Sequence, residues 1–222
     1  MDLVKEIFSI LKKVEIYIPK FREIYYEKLY LLKDIDKENK KYTSDDYLFD
    51  LVNKKIEYGV AENSNVMSIY ELSLMNQHDQ FDEFVNKNHW IKNIKDLKQN
   101  LYQLVDAKNE AVFAYYPENG YMGWHTNWNA PGIGILFSWS AKGNGYFKSY
   151  NDKTKNFEMY QDEVGWNVKA AFQKDQLQGL QTGKSWHCVS TNCERFSIGF
   201  LLSDINLLKK FKLKESPNGI WI

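Results

Sequence analysis

The first hundred or so residues carry their apolar positions at helical spacing. Leu3, Ile7, Ile10, Leu11 and Val14 fall on one stripe, and Leu97, Leu101, Leu104 and Val105 on another. Pro19 and the polar stretch 34–46 read as breaks, and Thr43, Ser44, Asp45 and Asp46 make an N-cap cluster ahead of a helix over 47–57. Gly59 and Pro19 are the one glycine and one proline before residue 109, so little interrupts the pattern and four or five helices are expected. Beyond Glu110 the period falls to two. Short aromatic and β-branched runs at 111–116, 120–125, 133–140, 145–150, 157–161, 165–172, 185–189 and 195–202 alternate with turn signals such as Pro117-Glu118-Asn119-Gly120. Strands at this spacing predict a sandwich or a double-sheet jelly roll. The join at 106–110 has no Gly/Ser/Pro run and reads as a change of layer, not a linker. The expectation is an α+β chain, with a helical region over 1–109 packed on a β core over 110–222.

Composition narrows the classes. A chain of 222 residues can bury a core without staples. The 29 Lys+Arg balance the 29 Asp+Glu, which argues against bulk duplex nucleic acid or an anionic membrane surface as the main partner. No apolar run approaches the roughly 18 residues of a membrane helix, and residues 1–13 lack the continuous apolar centre of a signal peptide. Cys188 and Cys193 are too few for a disulfide framework, so a reducing cytoplasm is the expected compartment.

The choice of cation is more informative than the total. All but two of the 29 basic residues are lysines; the exceptions are Arg22 and Arg195. A guanidinium offers a planar fork that grips a carboxylate with two parallel bonds, which an ammonium cannot do. Arg22 sits in a helical stretch and has a routine surface reading. Arg195 opens the run Arg195-Phe196-Ser197-Ile198-Gly199-Phe200, where Arg195, Ser197 and Gly199 share one strand face and the apolar residues share the other. An arginine facing a sandwich interior needs an anion, because an unpaired buried charge costs several kcal/mol. Glu194 is near but falls on the opposite face.

Four histidines remain to be placed. His78 and His89 stand among polar residues and read as surface. His125 and His187 each follow a tryptophan in a strand-like run, and residues 125 and 127 share a strand face. Cys188 adjoins His187 but alternates to the other face, which argues against a zinc site. Pro131-Gly132-Ile133-Gly134 lacks the Lys-Ser/Thr and helix of a phosphate loop, and the lysine-rich stretch 209–214 reads as a solvated face.

Taken together, Gly123-Trp124-His125-Thr126-Asn127, then His187, then Arg195-x-Ser197 resembles the iron(II)/2-oxoglutarate dioxygenase superfamily. The likeness covers 110–202 and leans towards the nucleobase-demethylase and phytanoyl-hydroxylase-like branches. It implies a double-stranded β-helix, iron(II), 2-oxoglutarate and O2. It also implies His125, Asn127 and His187 at the metal positions, and Arg195 with Ser197 on the cosubstrate carboxylate. Tyr116, nine residues before His125, has the spacing of a tyrosine that touches 2-oxoglutarate in the demethylases, although Ala114 replaces their accompanying asparagine. Trp128 and Asn129, on the loop leaving that strand, become candidate substrate contacts. A facial set of three ligands leaves positions open for 2-oxoglutarate and oxygen.

The departure is Asn127, where the family has a carboxylate. A neutral oxygen leaves the site more positive and binds a hard cation less tightly. Three readings stay open: asparagine ligates weakly, the position is vacant, or the domain has lost iron chemistry. The implied function is an oxygenase, a hydroxylase, coupling 2-oxoglutarate decarboxylation to oxidation of a small molecule, nucleotide or protein side chain. The alternative is a degenerate jelly-roll binding or structural module.

Overall fold

The computed structural model describes residues 2–26, 39–55, 63–68, 89–126, 132–151, 154–172, 185–204, 206–213 and 220–221. Among the described residues the N-terminal half holds five helices: α1 (Leu3–Glu15), α2 (Ile18–Ile24), α3 (Asn39–Tyr42), α4 (Asp45–Asn53) and α5 (Trp90–Leu104). The Asp2 side chain caps α1 by accepting from Val4 N, and Ser44 caps α4 by accepting from Tyr47 N, as the sequence of that cluster predicts. Between α4 and α5 lie two strands of two residues each, β1 (Ser64–Asn65) and β2 (Met67–Ser68), which helical spacing does not anticipate. They are too short to carry a period of their own. They exist because the sheet edges have backbone groups to pair: β1 adds to the edge of β4, and β2 to the edge of β3.

The eight β-periodic runs are all strands, with ends within a few residues of the expected ones. They are β3 (Ala107–Tyr116), β4 (Tyr121–His125), β5 (Ile133–Ser140), β6 (Gly145–Asn151), β7 (Asn156–Gln161), β8 (Gly165–Phe172), β9 (Ser185–Thr191) and β10 (Arg195–Leu202). A short helix, α6 (Asn206–Lys210), and strand β11 (Ile220–Trp221) follow. The strands form two antiparallel sheets, ordered β1-β4-β9-β6-β7 and β11-β8-β5-β10-β3-β2. The chain is therefore α+β, with helices and two antiparallel sheets.

Alternation along the strands sorts side chains into three apolar interfaces. Phe113, Ile135, Phe137, Phe196, Ile198 and Phe200 leave the outer face of the six-stranded sheet and meet Ile7, Leu11, Phe21, Ile94 and Leu101 of the helices. Trp124, Tyr150, Trp186 and Cys188 leave the outer face of the five-stranded sheet and meet Leu48 and Leu51 of α4. Between the sheets, Tyr116, Val112, Leu136 and Ala171 face Phe147, Val189, Met122 and Tyr160. The last of these interfaces is not filled. No helix among the described residues is long and apolar enough to cross a membrane.

Candidate functional site

A cavity of about 180 Å³ opens between the sheets. Its walls include Val112, Met122, Leu136, Phe147 and Val189, with His125 and His187 at one end and Lys169, Arg195 and Ser197 at the other. Strand register makes this order. On the five-stranded sheet His125, His187, Ser149 and Glu158 stand opposite one another at one level, and Met122, Val189, Phe147 and Tyr160 at the next. Thr191 and Gly145 are paired at the third, where Asp162 N donates to Gly145 O. The cavity is thus polar at both ends and apolar in the middle.

At the imidazole end the two rings lie 4.1 Å apart, centroid to centroid, and Phe147 stacks on His187 at 5.4 Å. A register shift between Met122 and His125 brings His125 level with His187. His125 Nδ1 is 2.8 Å from Gly123 O, which assigns its proton to Nδ1 and leaves the lone pair on Nε2. Burial, and then the nearby His187, hold the imidazole well below its ordinary range, so the ring is neutral. A neutral imidazole with its second nitrogen bonded to a carbonyl is the usual state of a metal-ligating histidine. Beside His187 the buried Ser149 hydroxyl has no hydrogen-bond partner among the described residues.

The opposite end is ionic and fully enclosed. Arg195 Nε donates to Asp162 Oδ2 at 2.7 Å, Arg195 Nη1 donates to the Ser197 hydroxyl, and Lys169 Nζ donates to Asp162 Oδ1 at 2.6 Å. Ser138 Oγ adds a longer bond to the same oxygen, 3.3 Å. The Tyr116 ring lies 5.2 Å from the guanidinium carbon, and its hydroxyl shares a hydrogen bond with Ser197. Arg195 Nη2 is buried and without a partner among the described residues. Burial would raise the Asp162 carboxyl, but Arg195 and Lys169 more than offset it and hold it below the usual carboxylate range. Burial pushes Lys169 the other way, below an ordinary lysine. Two cations share one carboxylate here.

Of the residues singled out in sequence, the structure brings Arg195, Ser197 and Tyr116 together, and separately pairs His125 with His187. Asn127, Trp128 and Asn129 lie outside the described residues, as does His78. His89 is exposed, and Cys188 packs on the outer face with Trp124 and Trp186. Among the described residues no group of three His, Cys, Asp or Glu side chains converges as a metal site. Arg22 is exposed on α2, as its surface reading expects, but it is not without a partner. Its Nε and Nη2 both donate to Glu194, which also accepts from Tyr115 Oη at 2.6 Å, so Arg22 ties α2 to the start of β10.

Sequence reasoning missed Asp162 and Lys169, yet both had a signal. Glu158, Tyr160 and Asp162 have one parity, although β7 ends at Gln161 as expected and Asp162 lies one residue beyond it. Lys169 shares parity with Asn167 and Ala171, opposite the Trp166, Val168 and Ala170 that meet the helices. Gly145 belongs with them. A Cβ there would come 2.5 Å from Asp162 Oδ2 and 3.3 Å from Arg195 Cδ, so β6 passes the ion pair only as glycine.

Comparison with known proteins adds little. No family model matches the chain, and no curated protein matches it. The crystal structure of a prolyl-4-hydroxylase from Pseudomonas putida is similar over 53% of this chain and 65% of that chain, at 15% identity and a TM-score of 0.32. Peruvianin-I, a cysteine peptidase from Thevetia peruviana latex, is similar over 42% and 50%, at 9% identity and a TM-score of 0.28. The chain covers less than two thirds of either of those chains. Neither likeness is close enough to carry a functional conclusion.

Proposed function

We propose that the chain is an iron(II)/2-oxoglutarate-dependent oxygenase of hydroxylase type, built on a double-stranded β-helix. One observation carries the reading: a single cavity has a histidine pair, with His125 held neutral, at one end and a buried arginine with a nitrogen unpaired among the described residues at the other. The strand orders β8-β5-β10-β3 and β4-β9-β6-β7, with successive strands from β3 to β10 alternating between the two sheets except for the β6–β7 hairpin, support the jelly-roll part of it.

In this reading His125 and His187 hold the metal, with Asn127 at the third position. Iron(II) bound there supplies oxygen activation coupled to conversion of 2-oxoglutarate to succinate and CO2. The chain's own residues do the rest. Arg195 Nη2 and the Ser197 and Tyr116 hydroxyls receive the far carboxylate of 2-oxoglutarate, a charge-assisted contact in a dry site. Met122, Val189, Phe147 and Leu136 keep water from the middle of the cavity. Gly123 O keeps the His125 lone pair on Nε2. Trp128 and Asn129 are the proposed contacts to a substrate whose class is open.

The test is direct. Iron(II) and 2-oxoglutarate added without oxygen should produce a visible charge-transfer band, and air should then release succinate. Absence of both the band and metal retention at micromolar iron defeats the enzyme reading. Asn127 favours a second reading, a binding module that has lost iron chemistry. If Asn127→Asp alone produces the band, the amide is what silenced the site.

A further inference from the structure

The two arginine–carboxylate pairs of this protein are made differently, and the difference falls on the anion site. In the outer pair Arg22 uses Nε and Nη2 together and engages both oxygens of Glu194. In the inner pair Arg195 uses Nε alone towards Asp162, and its Nη2 stays bare. Nε and Nη2 lie on the same edge of a guanidinium, so Asp162 has a second nitrogen within reach of its second oxygen. That oxygen is turned to Lys169 instead, at 2.6 Å.

We infer that Lys169 is a positioning residue that holds the anion site open. It draws Asp162 Oδ1 away from Arg195 Nη2 and leaves the buried cluster with one positive charge in excess. Without Lys169 the remaining pair is self-neutral, and Asp162 closes onto the guanidinium edge as Glu194 does on Arg22. With it, one carboxylate from a ligand completes the cluster: it takes Nη2 and balances the charge. Asp162 is then a resident carboxylate that would otherwise compete with the ligand for the same edge. The inference rests on the proposal that a ligand carboxylate binds at Arg195, and it extends that proposal to residues on β8 and beyond the end of β7.

Metal-free protein and glutarate test it. Glutarate is a five-carbon dicarboxylate with no 2-oxo group to chelate iron, so the outcome does not depend on the metal reading. Calorimetry should find one glutarate site in the wild type. Lys169→Met should weaken it by about tenfold or more, Lys169→Arg should recover most of the loss, and Asp162→Asn should tighten it severalfold. The opposite signs matter, because loss of folding in one variant cannot produce both. Affinity of Lys169→Met within about twofold of wild type, or weaker binding by Asp162→Asn, overturns the inference. So does a wild type that takes no glutarate, whereas the iron reading stands or falls separately on the anaerobic band.

Discussion

Arg22 and Arg195 are one kind of contact in two media. Arg22 closes a complete fork on Glu194 with nearly half its side chain in water, while Arg195 and Asp162 are wholly buried and leave their fork incomplete. Water could solvate an unused donor at Arg22, yet both nitrogens of its Nε–Nη2 edge are engaged. The interior can offer no such relief to Arg195, and one is left there. A bare nitrogen is therefore tolerated where it is most expensive, which fits the proposed binding site better than a structural tie. The outer pair anchors a helix to a strand. In the proposed reading the inner pair receives a ligand carboxylate.

The comparison can be broken at several strengths. Arg195→Met removes a buried partner and should cost about 3–5 kcal/mol in urea unfolding, since Asp162 then keeps only Lys169 and Ser138. A loss under about 1 kcal/mol would mean the inner pair is no more than a surface bridge. Gly145→Ala pushes a methyl against Asp162 Oδ2 and should cost about 1–3 kcal/mol, with glutarate affinity falling alongside. At the imidazole end the effect is one of pH. His125 is depressed in the folded state, so the unfolded chain takes up its proton first, near pH ~6.5. Stability of the metal-free protein should hold above that value and decline as pH falls through it, and His125→Gln should flatten the decline. The smallest effect belongs to Arg22→Ala, about 1 kcal/mol or less and shrinking further in high salt, because Glu194 keeps Tyr115.

Most of the fold was legible because strand alternation is a strong local signal. The alternation of Phe196, Ile198 and Phe200 with Arg195, Ser197 and Gly199 says which face of β10 turns to the interior of the sandwich and which is packed behind it. Arg195 and Ser197 share a face for the same reason, whereas Tyr116 was suggested only by the family resemblance; it stands directly opposite Arg195 in register. What escaped is non-local. Nothing in the run at 157–161 says that residue 162 will meet residue 195, and a lysine in a strand is ordinarily an exposed one. Arg22 is on the surface as read, but its partner, 172 residues away, was not foreseen. Periodicity shows which way a side chain points; it does not show what it will find there.

The place of β10 has a consequence for biosynthesis. It is the last of the eight main strands to be made, yet it lies in the middle of its sheet, between β3 and β5, and pairs with both along its length. Until residue 202 has left the ribosome, β3 has only the two residues of β2 to pair with, and the Phe113 and Phe137 surfaces lack the Phe196–Phe200 strip that joins them. The nascent chain must therefore hold two unfinished sheet edges apart while most of the protein is already translated. Non-local pairing of this kind folds slowly and leaves edges open to other chains. Expression should accordingly be more sensitive to changes in residues 195–202 than to changes in any strand made earlier, since that segment alone converts two half-sheets into one.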